Sequence, residues 1–283
     1  MTNNENNPLK LPIKKDLPFF AYGIFKPGQI AYSRIKHCVK TSYEYEIDYK
    51  MRMRDGVPLI VPSKSNGYNK TKGYLIYFNE EDYGEAYEII SKTHYEKLYK
   101  WEQINVGVNK ANVLMGVNPK MGSSPIESSE GNYDGRNDPY FKELIVVVEN
   151  ELRDKDKHWS NINDFFKLQM SYLLLWTSIE RYCSLKYNKT RSKINQFSKD
   201  DLFKKSLKKH FTSKRTVYSA EDLRYHTLDS DDYYHSIHYY YTIRCNVAHR
   251  GKALHNDDYI IRQSLKELLG IFKDILNETF DET

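Results

Sequence analysis

The sequence has few cysteines, and none of them stand close together. Cys38, Cys183 and Cys245 are the three cysteines of the 283-residue chain, and no CxxC pair or other metal-ligand spacing occurs among them. Zinc sites and disulfide frameworks require closely grouped or regularly spaced cysteines. The sequence therefore predicts a thiol-reduced, cytoplasmic protein with no metal site and no cofactor.

Long hydrophobic runs are also missing. The longest is YLLLW at residues 172–176, far shorter than the ~20 apolar residues that span a membrane. The first residues, MTNNENNPLKLPIKKD, contain no apolar core, so we expect no secretory signal and no membrane partner. A mean hydropathy of −0.74 is typical of domains with a polar surface.

Positive charge is concentrated in one segment of a chain whose net charge is only +5. The segment FKKSLKKHFTSKR at residues 203–215 contains no acidic residue. It is either a solvated helix face or a surface that contacts RNA phosphates. The basic residues in question are Lys204, Lys205, Lys208, Lys209, Lys214 and Arg215.

The two halves of the chain have different periodicities. Residues 17–115 contain short aromatic and β-branched runs broken by Gly, Pro and Asn, with one helix predicted at EDYGEAYEIISKTH,. Residues 116–137 are rich in Gly, Ser, Pro and Asn, which predicts a linker or long loop. Residues 138–283 have helical periodicity, beginning with Asp138 as an N-cap and Pro139 in the first turn,. We therefore expect two domains, 17–115 and 138–283.

The last predicted helix, DDYIIRQSLKELLGIFKDILNETF, carries an apolar seam with 4, 3, 4, 3 spacing. Such a seam packs against another helix, either in the same chain or in a second copy. The seam residues are Ile261, Leu265, Leu268, Phe272 and Ile275.

The segment YTIRCNVAHRGK at residues 241–252 contains the strongest candidate site, Arg244 and His249. Arginine offers a planar fork of donors to a phosphodiester, and histidine transfers protons near neutral pH. In a regular helix the two lie about 140° apart, whereas Asn246 and His249 share a face. In the alternative interpretation, Arg244 pairs with a carboxylate and His249 stabilises the helix C-terminus.

The sequence IRCNVAHRG, together with the preceding helix ending WTSIERY and the following amphipathic helix, resembles a HEPN domain over residues 138–283. The resemblance implies an all-α helical bundle that forms a homodimer. It also implies a composite site for metal-independent RNA cleavage, often in toxin or antiphage proteins. Arg244 and His249 would be catalytic, with Asn246 as the polar residue and Glu180 as a further candidate.

Residues 17–115 resemble the γ-glutamylcyclotransferase-like fold, which implies an α+β mixed barrel. The similarity is carried by FFAYGIFKPGQ, GVPLIVPS, KGYLIYF and LYKWEQINV. It implies a loop whose amides bind the carboxylate of a small molecule, formed here by Tyr22, Gly23, Ile24 and Phe25. The position expected for the catalytic acid falls near Thr93 and His94, so the nearest carboxylates, Glu88 and Glu96, are the candidates.

These observations favour an endoribonuclease whose N-terminal domain binds a ligand or regulates the C-terminal domain. Two alternatives remain open at the level of sequence. One is a γ-glutamylcyclotransferase with a helical dimerisation domain, and the other is a non-catalytic adaptor that binds RNA or a ligand.

Overall fold

The computed structural model describes residues 7–54, 57–62, 70–118, 123–125, 131–153, 162–187, 192–219, 223–250 and 257–281. The chain divides into two compact units. Among the described residues, the first unit runs from residue 7 to residue 138 and the second from residue 139 to residue 281. The protein is thus a mixed α/β chain with a large sheet in the first unit and a helical C-terminal region.

The first unit consists of a mixed sheet and one helix. Its strands and helix are β1 (Phe19–Ala21), β2 (Val39–Ile47), β3 (Tyr49–Arg54), β4 (Val57–Pro62), β5 (Thr71–Phe78), α1 (Tyr83–Thr93), β6 (Tyr99–Val106), β7 (Asn109–Gly116) and β8 (Ser123–Pro125).

The sheet has the order β2-β5-β1-β7-β4-β3-β8, and β6 pairs with β7. β1 and β4 run parallel to β7, and the other pairings are antiparallel. β7 pairs with three strands, β1, β4 and β6, so the sheet branches there. The mixed barrel stays a prediction.

Runs of aromatic and aliphatic side chains that are buried at consecutive positions explain the central strands,. Phe20 on β1, Leu75 and Ile76 on β5 and Val113 on β7 are fully buried. Gly73 allows β5 to approach β1, because a Cβ there would lie 2.6 Å from the Ala21 carbonyl oxygen.

Part of the predicted linker 116–137 belongs to the first unit, which corrects that expectation. Residues 123–125 form β8 and pair with β3. Tyr133 is 3% exposed, and the Gly135 amide donates to Gln29 Oε1 at 2.8 Å. Composition alone could not show this. The described part of the segment is held by backbone hydrogen bonds and by the buried Tyr133, and these leave no apolar pattern in the sequence.

The second unit comprises α2 (Pro139–Arg153), α3 (Ile162–Lys186), α4 (Lys193–Phe197), α5 (Asp201–His210), β9 (Arg215–Ser219), β10 (Arg224–Leu228), α6 (Tyr233–Arg250) and α7 (Asp257–Asp281). Pro139 begins α2, as predicted. None of the helices among the described residues combines the length and apolar character needed to cross a membrane.

The second unit is not all helical, which corrects the expected all-α bundle. β9 and β10 form an antiparallel hairpin in which Tyr218 pairs with Tyr225 and Val217 with His226. Tyr225 is exposed whereas His226 is buried, so the hairpin has one outer and one inner face. Each strand has only five residues, too few to stand out beside the basic segment.

The seam of α7 is buried within the chain. Its residues Ile261, Leu265, Leu268, Phe272 and Ile275 are at most 4% exposed. Phe272 contacts Phe141 of α2 and Tyr182 of α3 with ring centroids 6.0 and 5.9 Å apart. Of the two alternatives left open by the sequence, packing within the chain is therefore the one observed.

Candidate functional site

Arg244 lies on the last turns of α6 and faces α3. Its guanidinium nitrogen is 3.7 Å from Glu180 Oε1, and the two side chains are 28% and 46% exposed. The same carboxylate oxygen accepts a hydrogen bond from Trp176 Nε1 at 2.9 Å. Glu180 therefore orients Arg244 while the guanidinium remains accessible to solvent.

Aromatic rings support this pair from one side. The Tyr241 ring packs against Trp176 with centroids 5.7 Å apart, and the Arg244 guanidinium lies 5.9 Å from the Tyr241 centroid. We call Trp176, Glu180, Tyr241 and Arg244 the Arg244 cluster. A cation over an aromatic face is attracted to it, so the cluster restricts the guanidinium without burying it.

His249 lies in the final turn of α6 and is exposed. A regular helix places it about 7.5 Å along the axis from Arg244 and about 140° around it. The two side chains of one chain therefore point in different directions. The position also suits the alternative role, because a cationic imidazole is favourable near a helix C-terminus. The sequence contains a second arginine followed five positions later by a histidine, Arg250 and His255, and His255 lies outside the described residues.

Asn246 connects α6 to the hairpin. Its side-chain amide donates to the Tyr218 carbonyl oxygen at 3.0 Å. Through this contact Asn246 holds α6 against β9. A role of Asn246 in binding a substrate stays a prediction. Cys245, directly after Arg244, is partly buried.

The five lysines of the predicted RNA-contacting segment lie on or beside α5, and each is paired with a carboxylate. The nitrogen–oxygen distances range from 2.5 to 3.2 Å. The pairs are Lys204–Asp201, Lys205–Glu278, Lys208–Asp231, Lys209–Asp274 and Lys214–Asp229. The segment at residues 203–215 contains no acidic residue, but in the folded chain each of its lysines lies beside a carboxylate from outside the segment.

Arg215 differs from these lysines, because its side chain is only 10% exposed. It forms an ion pair with Glu267 of α7, which is 2% exposed. The expectation that Arg215 belongs to an RNA-contacting surface is therefore corrected. Its partner lies 52 residues further along the chain, so local sequence could not reveal the pairing.

A buried polar network surrounds this pair. Glu267 also accepts hydrogen bonds from the Thr212 amide at 3.3 Å, from the Thr212 hydroxyl, and from the Tyr240 hydroxyl at 3.1 Å. Burial and the nearby Glu267 carboxylate hold the pKa of Tyr240 well above its usual value, so this hydroxyl remains a donor. The sequence did not predict this network, because its members lie 27 to 55 positions apart along the chain.

The loop predicted to bind a ligand in the first unit is closely packed. Tyr22, Gly23, Ile24 and Phe25 line a cavity of about 20 Å³ together with Pro58, His94 and Tyr99. That volume holds about one water molecule and is too small for a γ-glutamyl group. Tyr22 directs its hydroxyl to the Leu114 carbonyl oxygen at 2.6 Å, so this side chain supports the fold.

His94 occupies the wall of this cavity where the family resemblance places an acid. Its Nδ1 donates to the Ile90 carbonyl oxygen at 2.8 Å, and its ring lies 4.7 Å from that of Tyr99. Neither candidate carboxylate lines the cavity. Glu88 is exposed and pairs with Lys92 at 2.5 Å, while Glu96 borders a separate open groove of about 630 Å³ beside residues 9–13.

Lys26 is a residue of this loop that sequence analysis did not single out. It precedes Pro27 and Gly28, and Gly28 has a φ of +74°. Its side chain is 6% exposed, and Nζ donates to Asn132 Oδ1 at 2.6 Å and to the Tyr133 carbonyl oxygen at 2.8 Å. Burial lowers the pKa of Lys26 from 10.5 to about 8.

This pKa predicts a pH-dependent stability. The folded state loses the Lys26 proton near pH 8, whereas the unfolded chain keeps it to about pH 10.5. Between those values the unfolded state binds more protons, so Lys26 makes the free energy of unfolding rise with pH, by at most about 1.4 kcal/mol per pH unit. We expect Lys26→Met to remove this slope in urea unfolding measured from pH 8 to 10.5, while the exposed Lys110→Met retains it. Equal slopes in both variants would contradict the prediction.

Comparison with known proteins adds little to this description. No protein-family model matches the chain, and no curated protein matches it. Among solved structures, the chain has a partial similarity to the uncharacterized protein PH0828 from Pyrococcus horikoshii, with 18% sequence identity and a TM-score of 0.29. The similarity covers 41% of this chain and 89% of PH0828. A similarity at that TM-score supports no conclusion about fold or function.

Proposed function

We propose that the second unit is an endoribonuclease of the HEPN type that uses Arg244 and His249. The observation that carries the proposal is the Arg244 cluster, in which a charged guanidinium is oriented by Glu180 yet remains partly exposed on the helix that also presents His249. An arginine needed only for stability is better placed where Arg215 lies, in a buried ion pair. The partly exposed Arg244 and the exposed His249 on α6 are instead available to a substrate.

The chemistry follows from the two side chains. The Arg244 guanidinium binds the phosphodiester and offsets the charge that develops in the transition state. His249 removes the proton from the ribose 2′-hydroxyl or protonates the leaving 5′-oxygen. Because the nucleophile belongs to the RNA, the products are a 2′,3′-cyclic phosphate and a 5′-hydroxyl, and DNA is not cleaved.

A homodimer accounts for the divergent directions of Arg244 and His249. Since the two side chains of one chain lie about 140° apart around α6, one motif does not enclose a phosphate by itself. Two motifs related by a two-fold axis place an arginine of one protomer opposite a histidine of the other. The seam of α7 is buried, so the interface involves other surfaces, of which the exposed end of α6 is our first candidate.

The first unit serves, in this proposal, as a module of the γ-glutamylcyclotransferase-like type that binds a small molecule or regulates the nuclease. The small cavity and the absence of Glu88 and Glu96 from its lining argue against γ-glutamyl transfer at this loop. A cytoplasmic toxin or antiphage effector is the biological role we propose, on the basis of the family resemblance alone.

The test is cleavage of end-labelled single-stranded RNA by the purified full-length protein in EDTA. We expect cleavage with 2′,3′-cyclic phosphate ends, and no cleavage of matched DNA. A substrate with a single ribose replaced by deoxyribose is expected to resist at that position only, because the nucleophile is missing there. Intact RNA across substrates and a cellular RNA pool, together with measurable RNA affinity, would instead favour the non-catalytic adaptor.

A further inference from the structure

We propose that His37, Cys38 and Glu85 in the first unit form a binding site for a divalent cation of the Zn²⁺ type. Their donor atoms, one nitrogen, one sulfur and one oxygen, lie within 4.8 Å of one another. His37 Nε2 is 3.1 Å from Glu85 Oε1. This site is independent of the proposed nuclease, which lies in the other unit.

The fold holds the two contributing segments together without help from a metal. His37 and Cys38 belong to a 3₁₀ turn, Lys36–Cys38, and Glu85 lies in the first turn of α1. The Asn79 amide donates to the Cys38 carbonyl oxygen at 2.9 Å, which fixes the start of the α1 region beside the turn. The backbone of the site is thus preorganised.

The donor spacing suits tetrahedral coordination. Zinc ligands at their usual bond lengths lie about 3.4 Å apart for nitrogen and oxygen and about 3.6 Å apart when one of them is sulfur. The 3.1 Å between His37 Nε2 and Glu85 Oε1 is close to the first value. The 4.8 Å upper limit on the other separations exceeds the second value by about 1.2 Å, which is the largest shift required,. His37 and Glu85 can make such shifts, because their side chains are 56% and 57% exposed.

The donor set also selects the metal. An imidazole and a thiolate favour Zn²⁺ over Mg²⁺ or Ca²⁺, which prefer oxygen ligands. Cys38 is buried, and a thiol binds a metal as the thiolate. Binding therefore releases the thiol proton to solvent as the metal–sulfur bond forms. Three protein ligands leave a fourth position for water.

Sequence motifs did not reveal these three residues, because metal-binding motifs are recognised by ligands that lie close together along the chain. His37 and Cys38 are adjacent, but Glu85 lies 47 residues after Cys38 along the chain, and only the packing of α1 brings it close. A protein with dispersed cysteines was therefore expected to have no metal site.

The experiment is a titration of the metal-free full-length protein with Co²⁺, a spectroscopic substitute for Zn²⁺, under reducing conditions. We expect a thiolate-to-cobalt charge-transfer band that saturates at one equivalent and is abolished by added Zn²⁺. Cys38→Ser is expected to remove the band, and His37→Ala or Glu85→Gln to weaken Co²⁺ binding at least about tenfold. Cys245→Ser, which changes a more exposed thiol, is the matched control and is expected to retain full binding.

Two outcomes would overturn the proposal. One is the absence of a charge-transfer band in the wild-type protein. The other is a band of unchanged strength in His37→Ala and Glu85→Gln, which would assign the cobalt to another thiol. Since His37 and Glu85 are exposed, these two variants are expected to fold even if Cys38→Ser does not. RNA cleavage in EDTA is expected to be unaffected, so failure of either proposal is distinguishable from failure of the other.

Discussion

Replacing His249 with alanine is expected to lower the rate of RNA cleavage by about 10²- to 10⁴-fold, the usual contribution of a general acid or base. The exposed position of His249 in the last turn of α6 means that the substitution removes few packing contacts. The thermal unfolding of the variant is therefore expected to match the wild type. The measurement is single-turnover cleavage of end-labelled RNA, with unfolding followed by circular dichroism.

Arg244→Ala is expected to cause a loss of about 10²- to 10³-fold, because it removes a charge placed where the phosphate develops negative charge. Arg244→Lys keeps the charge but loses the planar fork, so its loss is expected to be intermediate. We expect the substitution to lower the rate constant for cleavage of bound RNA more than it lowers the affinity for RNA.

His235→Ala is the matched control for the histidine. His235 is also exposed on α6 but lies in its first turn, where it pairs with Asp232 at 2.7 Å. We expect it to cleave at the wild-type rate. If His249→Ala also cleaves at that rate, His249 has only the structural role at the helix C-terminus.

Mixing the two inactive variants tests the composite site. If each site combines residues of two protomers, Arg244→Ala and His249→Ala proteins are expected to regain part of the activity after exchange of subunits. Activity that never recovers, in a mixture shown to exchange, would assign each site to a single chain.

Glu267→Ala is expected to lower the free energy of unfolding of the second unit by about 3–5 kcal/mol, the cost of leaving a buried charge without its partner. Arg215 would keep its charge in a position that is 10% exposed. The Tyr240 hydroxyl and the Thr212 hydroxyl and amide would also lose their acceptor. Urea unfolding, followed by signals from each unit, measures the loss.

Glu278→Ala provides the control for Glu267. Glu278 also lies on α7 and pairs with Lys205 at 2.8 Å, but the two side chains are 38% and 68% exposed. An exposed pair contributes about 0–1 kcal/mol, so this substitution is expected to have little effect. Similar losses for Glu267→Ala and Glu278→Ala would show that the Arg215–Glu267 network does not stabilise the unit.

Two of the long helices were predictable because their apolar residues repeat at helical spacing. α2 and α7 lie where that spacing placed them. The hairpin β9–β10 was not predicted, because five-residue strands beside a basic segment carry little periodic signal. The strands of the first unit were recognised by their aromatic and β-branched runs, but the pairing order β2-β5-β1-β7 depends on contacts far apart in sequence.

The candidate sites could be predicted only where their residues lie close together in the sequence. Arg244 and His249 were identifiable because the motif lies within one helix. The partner of Arg244 was also within reach, since Glu180 had been singled out. The Arg215–Glu267 pair and the grouping of Glu85 with His37 and Cys38 join residues that are 52 and 47 to 48 positions apart. Tertiary packing determines such pairs, and a single sequence does not disclose it.

The five paired lysines on or beside α5 would change the salt dependence of RNA affinity if RNA bound to that surface. Binding of a polyanion draws much of its free energy from small cations that leave the phosphates as lysines replace them. Here each lysine already has a carboxylate as its own covalently attached counterion. An incoming phosphate must displace a carboxylate that cannot diffuse away. The entropy gained from released cations is therefore smaller than the number of lysines predicts. In the folded protein this surface binds a polyanion more weakly than the charge of its sequence indicates.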